Sequence, residues 1–474
     1  MLIGRKATSW GRGQRAIVPS ISYGVGSYRR LNGNLPELRL VNMFIEAAPT
    51  SENRVTLLSR KGLEEHSAPG SGPITGIFRE EGVFGGDVFT VSGRTLYRGE
   101  AALGSIDGDG PVRFAASDTE LAITAGATLY RYHAPDGLDA VTFPDDAEVT
   151  DIRFHDGLFL AAANDTQRWY FSAVLDADTW GGLDFASAER RPDPLLGLEV
   201  LNDTLFLLGA STIEPWANTG DAELPYSRIE QRLIDKGLYR TGCSQPIDNS
   251  LIFIGHDGIV YRLADVPQRI SDHGIEERIA GSAAVSTFAY QYEGHSFFVV
   301  RLDAETMLFD LATGQWCEFA TYGRSNFAGR CAVTVGTEAL FGDDTAGKVW
   351  RFGGWEDGGS PIERLFTAAF PIPGGSVSID NFNIEANTGW TEELTGQGSN
   401  PQVEMRSSRD AGATWGPWRS AGLGGQGEYR RRTQWRRCGL FDAPGAIFEV
   451  RATDPVGFRV SNVRVNEAGG GRSR

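Results

Sequence analysis

Between about Gly86 and Phe352 the chain repeats one hydropathy pattern: a short apolar strand, a tight polar turn, then a second strand ending in an aromatic. The copies read GDVFTVSGRTLYRG, ELAITAGATLYRY, GLFLAAANDTQRWYF, DTLFLLGASTIEPW, NSLIFIGHDGIVYRL, HSFFVVRLDAETMLFDL and EALFGDDTAGKVWRF. One residue near the middle of each first strand (Phe89, Ile123, Leu160, Leu207, Ile254, Val299, Phe341) gives spacings of 34, 37, 47, 47, 45 and 42 residues. A recurrence of about 40–50 residues with hairpins inside it predicts propeller blades. A lone hairpin cannot bury its faces, so blades stack around an axis and cover one another.

The pattern changes at GGWEDGGSP (353–361), which reads as a linker or long turn. Beyond it RLFTAAFPI, VSIDNFNIEAN, QVEMRSSRD, EYRRRTQWRRCG, AIFEVRATD and FRVSNVRVNE are strand-like. Phe448, Val450 and Ala452 fall on one face, Glu449 and Arg451 on the other, the alternation of a β-sandwich. Upstream, residues 1–40 lack periodicity and read as an extended arm; a strand enters at Leu38–Met43 and a second near SENRVTLLSRKGL. One helix is expected, near Ile275–Ala284 with Asp272 as N-cap. The expectation is an all-β chain: an arm (1–40), a β-propeller-like body of about seven hairpin repeats (41–355, the blades from about 60), a C-terminal β-sandwich-like domain (360–467) and a disordered tail (468–474).

Composition agrees: 60 Gly, 21 Pro and 11% aromatics in 474 residues describe a turn-dense β protein. No apolar run approaches the roughly 18 residues of a membrane span, and the start lacks the apolar segment of a secretory signal, so a soluble protein made in the cytoplasm is expected. Cys243, Cys317, Cys331 and Cys438 have no metal-site spacing and read as isolated thiols; a Cys317–Cys331 pairing stays open. Charge is uneven. Residues 1–40 hold seven Lys/Arg and one acid, and residues 404–474 hold thirteen Arg and seven acids. Against the net −16, these two +6 ends leave −28 for residues 41–403. An acidic body argues against nucleic-acid binding through the propeller.

The catalytic inventory is thin. The six histidines form no HExxH or HxH pair, and no nucleophile elbow, P-loop or dinucleotide fingerprint occurs. Asp107 and Asp109 lack the closing carboxylate of a calcium loop. The pairs Asp145/Asp146 and Glu276/Glu277 read as surface acids. No catalytic, cofactor or metal residues are therefore assigned. SSRDAGATW fits an Asp-box through Ser408, Asp410, Gly412, Thr414 and Trp415; it reads as a structural turn, the alternative being a sialidase-like or carbohydrate-binding propeller. EYRRRTQWRRC (428–438) holds five Arg. As one strand it would put Arg430, Arg432 and Arg436 on one face and Arg431, Trp435 and Arg437 on the other, a candidate contact with phosphate or an acidic partner. Arg29 and Arg30 in the arm join these candidates. The bland reading is an edge strand kept soluble by charge.

Ordered landmarks carry a resemblance: VNMFIEAAPTSENRVTLLSRKGLEE (41–65), GASTIEPWANTGD (209–221), LIDKGLYRTGCSQP (233–246), ATGQWCEFATYG (312–323), and the C-terminal RSSRDAGATW and RRRTQWRRCGLF. The chain resembles the packaged-DNA-stabilisation, or tail-hub, family of short-tailed bacteriophages of the Salmonella-phage type. The resemblance implies a non-catalytic virion protein without cofactors. It would form a homo-oligomeric ring, a hexamer in the family, below the portal and its head-to-tail adaptor. Such a ring continues the DNA channel, retains the genome, holds the plug or needle and anchors tailspikes or fibres, with dsDNA passing without sequence-specific binding.

Overall fold

The computed structural model describes residues 23, 26–27, 38–48, 55–107, 110–188, 190–221, 223–230, 232–372, 374–391 and 395–466. Of the arm only residues 23, 26–27 and 38–40 are described, and the tail from 467 onward lies outside the described residues. Within them the chain is all-β, with one α-helix and three short 3₁₀ turns.

Seven antiparallel meanders form the propeller. They span residues 74–105, 113–140, 149–187, 195–228, 244–269, 286–319 and 329–352. The first strands of blades 2 to 7 touch in succession around the axis, blade 1 meets blade 2 through Phe78 and Phe114, and the first strands of blades 7 and 1 meet to close the circle. The seven residues spaced along the sequence all fall on second strands, and each is 0% exposed. The hairpin visible in the sequence is thus the middle of each blade. Many first and fourth strands are short or part-exposed, as Arg113–Ala116, Gly137–Ala140 and Pro267–Arg269 are, and carry little apolar signal. Apolar clusters fill the gaps between blades, as stacked sheets require.

Blade 7 has only three strands of its own. Its fourth is β4 (Leu63–Ser67), which pairs antiparallel with Val349–Phe352 through Phe352↔Leu63. Before β4 come β1 (Leu40–Val41), β2 (Met43–Ala47) and β3 (Val55–Ser59). These pair with the C-terminal part of the chain. β1 lies parallel to the outer strand of blade 6 (Val41↔Glu318) and antiparallel to Arg364–Pro371, making one nine-stranded sheet that runs from blade 6 into the sandwich. The other sandwich sheet has the order β2, β3, Arg459–Val465, Ser376–Ala386, Thr433–Asp442. A single apolar cluster crosses the junction, with Phe297 and Phe341 of the blades and Phe382 and Phe448 of the sandwich.

The Gly-rich stretch 353–361, expected as a linker, instead adds a small hairpin (Glu356–Asp357 with Ser360–Pro361) to the blade 7 sheet, Asp357 pairing with Leu63 of β4. Arg60 locks this corner. It is 0% exposed and forks onto Asp357 with bonds of 2.8 and 2.6 Å, and it also donates to Asn42 Oδ1 and to the carbonyls of Lys61 and Ala320. Helix α1 (His273–Ala280) follows blade 5; Asp272 caps it by accepting from Ile275 N at 3.0 Å. It ends at Ala280, before the expected Ala284; Gly281 N still reaches Glu277 O, and Ser282 N turns onto Ile279 O at 3.2 Å. All four cysteines are free thiols.

Candidate functional site

The arginine-rich stretch splits in two. Residues 428–432 form a turn, and the strand begins only at Thr433. That strand is the edge of its sheet, pairing on one side with Ser376–Ala386. Alternation also fails within it: Arg437 has φ +57° and the register slips opposite Asn381, a bulge. As a result Arg430, Arg431, Arg432, Arg436 and Arg437 are all exposed, the first three in the turn and the last two on the edge strand, instead of alternating between two faces of one regular strand. Trp435, expected among the contacts, points inward. It is 2% exposed, packs on Phe382 and donates to Arg419 O at 2.6 Å. Arg29 and Arg30 lie outside the described residues.

Arg431 lies across Gly422 and Gly424, where any side chain would collide with it, and pairs with Glu428 at 2.9 Å. Arg430, Arg432 and Arg437 make no ion pair among the described residues. Next to Arg430 in the chain, Tyr429 (58% exposed) meets Trp390 (71% exposed) with ring centroids 5.3 Å apart and planes tilted by 54°. An exposed aromatic pair rimmed by arginines has the composition of a binding surface. The sequence reading missed Trp390, because NTGWTEE carries no periodicity; its signal is a tryptophan stranded in a polar, turn-rich stretch.

The Asp-box residues come together in the loop after Gln402–Ser408, in the sandwich and not in a blade. Asp410 accepts from the Thr414 hydroxyl (2.5 Å) and amide (2.8 Å) and from the Ser408 hydroxyl (2.7 Å), while Ser408 Oγ accepts from Gly412 N at 2.9 Å. These donors, the Thr414 hydroxyl first, hold the Asp410 carboxyl down to about 2. Gly412 sits at φ +99°, and Trp415 stacks on Arg406, which also contacts Trp418. Every polar group of the box is spent on its own turn.

Comparison with known proteins agrees with this division. The family described as "Bacteriophage P22 Gp10, beta-propeller" matches residues 20–352, and "Bacteriophage P22 Gp10, beta-sandwich" matches residues 363–468. The tail hub protein gp10 of Salmonella phage P22 is 24% identical over 267 residues, covering 49% of this chain and 55% of that protein, so the chain spans about half the length of the curated relative it matches. Solved structures with a similar course include the computationally designed Ika8 protein (16% identity, 66% of this chain and 99% of that one, TM-score 0.38) and the Cps50 (Swd1) β-propeller domain of Myceliophteria thermophila (11% identity, 61% and 99%, TM-score 0.40). With both modules matched in order along the chain, this protein belongs to the bacteriophage P22 Gp10 family.

Proposed function

We propose that the chain is a structural protein of a short-tailed phage virion: a tail hub or nozzle. It assembles as a ring, taken as a hexamer, below the portal and adaptor. It continues the DNA channel, retains the packaged genome and anchors the plug or needle and the tailspikes or fibres. It works as a scaffold without catalysis. The observation that carries this reading is the joining of propeller and sandwich into one body. A shared nine-stranded sheet, a shared apolar core and the Arg60–Asp357 lock hold the two modules together. A part that transmits load between a pressurised head and its appendages needs such a joint.

The conduit in this proposal runs between copies. The axis of the propeller itself holds a cavity of about 460 Å³ lined by Phe78, Phe114 and Phe288, whereas the major groove alone of a duplex is about 12 Å wide. Acidic propeller walls facing the lumen would let DNA slide without phosphate contacts. The rim of Arg430–Arg432, Arg436 and Arg437 would dock on an acidic surface, the propeller of a neighbouring copy being the nearest source.

Native mass spectrometry of the purified chain, alone and offered a portal–adaptor assembly, tests this. A ring of about six copies supports it. A chain that stays solitary under both conditions, or that hydrolyses glycans, overturns it. Reversing Arg430 and Arg432 to Glu should abolish assembly while leaving the melting temperature unchanged, because these side chains are exposed and make no ion pair among the described residues.

A further inference from the structure

Nine large apolar side chains are exposed among the described residues, and eight of them fall in two regions. Trp390, Tyr429 and Leu440 gather at the arginine-rich turn and edge strand of the sandwich. Val174, Leu175 and Leu183 of blade 3, Leu224 of blade 4 and Val266 of blade 5 form the other group. Apolar residues exposed singly need no explanation, but groups of them mark contact surfaces.

The propeller group is acidic. Leu183 apart, its members sit in the turns between third and fourth strands, at 173–179, 219–225 and 264–266. Those turns carry Asp176, Asp178, Asp221, Glu223 and Asp265 and no Lys or Arg. At Val266 a groove of about 590 Å³ opens between blades 4 and 5. Blade 4 lines it with Phe206 and Pro215, blade 5 with Leu263 and Val266, and the connection between them with Leu233 and Ile234. Its cations are already countered: Lys236 reaches Asp257 at 2.7 Å, and Arg232 stands 3.8 Å from Asp265.

The sandwich group is basic, and its backbone is clamped. The turn 428–432 carries three Arg and one Glu. Gly389, at φ +75°, lies so close to the backbone of Glu428 and Tyr429 that a Cβ would come within 2.7 Å of it. Thr388 Oγ1 donates to Tyr429 O at 3.2 Å, and Gly427 N donates to Gly389 O at 3.2 Å. Trp390 and Tyr429 are thereby presented as a fixed pair before any partner arrives, which lowers the ordering cost of binding.

We propose that the groove between blades 4 and 5 seats Trp390 and Tyr429 of a second copy of this chain, while Arg430 and Arg432 meet the carboxylates of the surrounding turns. This rests on the ring reading above and names the acceptor surface within it. Aromatic anchors in an apolar groove, flanked by opposite charges, are the pattern of interface hot spots. Trp390, Tyr429 and Val266 are all exposed within one copy, so neither surface is covered by its own chain. Two different surfaces make the contact heterologous: each copy gives one and takes one, which generates a ring when the rotation closes.

Native mass spectrometry of the full chain, alone and on a portal–adaptor assembly, tests this with Trp390→Ala on one surface and Val266→Glu on the other. Each should weaken self-association by about tenfold or more without lowering the melting temperature, since both positions are exposed. Mixed under the condition in which the unaltered chain assembles, the two variants should form pairs and go no further. Trp390→Ala keeps its groove and Val266→Glu keeps its aromatics, so one contact can form and the next cannot. Should Val266→Glu fail to fold, Asp265→Lys, at a side chain that is 91% exposed, takes its place. Assembly of either variant as in the unaltered chain, or a mixture without pairs, would overturn the groove and leave the ring reading standing. An unaltered chain that stays solitary in both conditions would overturn both.

Discussion

Replacing Asp357 with Ala tests the joint between the modules at its most buried point. The Asp357 side chain is 2% exposed, and both its oxygens take the fork of Arg60, itself 0% exposed. Arg60 also donates to Asn42, Lys61 and Ala320, so it will stay in place when its counter-charge is gone. Removing one partner of a buried pair leaves an uncompensated charge and costs about 3–5 kcal/mol. Arg60→Met should cost at least as much, because it strands Asp357 and two backbone carbonyls together. The double variant Arg60→Met/Asp357→Leu leaves no charge behind. It should fall short of the summed losses by about 2 kcal/mol or more, since contacting residues couple by about 0.5–3 kcal/mol. The assay is urea denaturation followed by tryptophan fluorescence, with limited proteolysis to show whether the junction opens before the blades. A loss below about 1 kcal/mol for Asp357→Ala, or additive losses in the double variant, would refute the idea that this pair locks the corner.

Three further outcomes are expected. His295 Nδ1 lies 2.9 Å from Asp310 Oδ2, and that hydrogen bond raises the imidazole above its ordinary value. The stabilisation is complete below about pH 6.5 and fades as pH rises through the raised value, so His295→Gln should cost more at pH 5.5 than at pH 8.5 in thermal melts, and equal costs would sink the assignment. Asp410 is held down to about 2 by its turn; its contribution is present above about pH 3.9 and lost as pH falls through about 2, so carboxyl NMR should find its midpoint near 2 and Asp410→Asn should speed proteolysis between 408 and 415 at neutral pH. Leu57, in β3, is 0% exposed in the sandwich core; Leu57→Ala should cost about 2–5 kcal/mol in denaturant, and a near-neutral result would contradict the placement of β3 in that sheet.

How much of this was legible in the sequence depends on how each element earns its burial. Second strands are buried on both faces along most of their length and show as apolar runs, so Phe89 through Phe341 marked every blade. The cap of α1 was readable too, because Asp272 bonds a donor three residues away. Pairings set by distant partners were not. Leu63 and Leu40 look like members of one continuous stretch, yet the first closes blade 7 and the second leads into the sandwich, because their partners lie some three hundred residues downstream. Strict alternation misled at 428–438: the turn before Thr433 and the bulge at Arg437 break the period, and Trp435 turns inward while the arginines turn out.

The placement of β1–β4 has a consequence for folding. β3 pairs with Arg459–Val465 and β4 with Val349–Phe352, so β1–β4 cannot complete their sheets until nearly the whole chain exists. Closing such long loops before their contacts form slows folding. Until then blade 7 and both sandwich sheets present open edges, the usual route to wrong pairing. The same interlacing gives the finished body its stiffness. With β1, β2 and β3 held by sandwich strands and β4 by blade 7, within some thirty residues of chain, neither module can swing without tearing hydrogen bonds from the other. A hinge at residues 353–361 would have made folding easier and the joint compliant; the hairpin there, bolted through Asp357, removes that freedom.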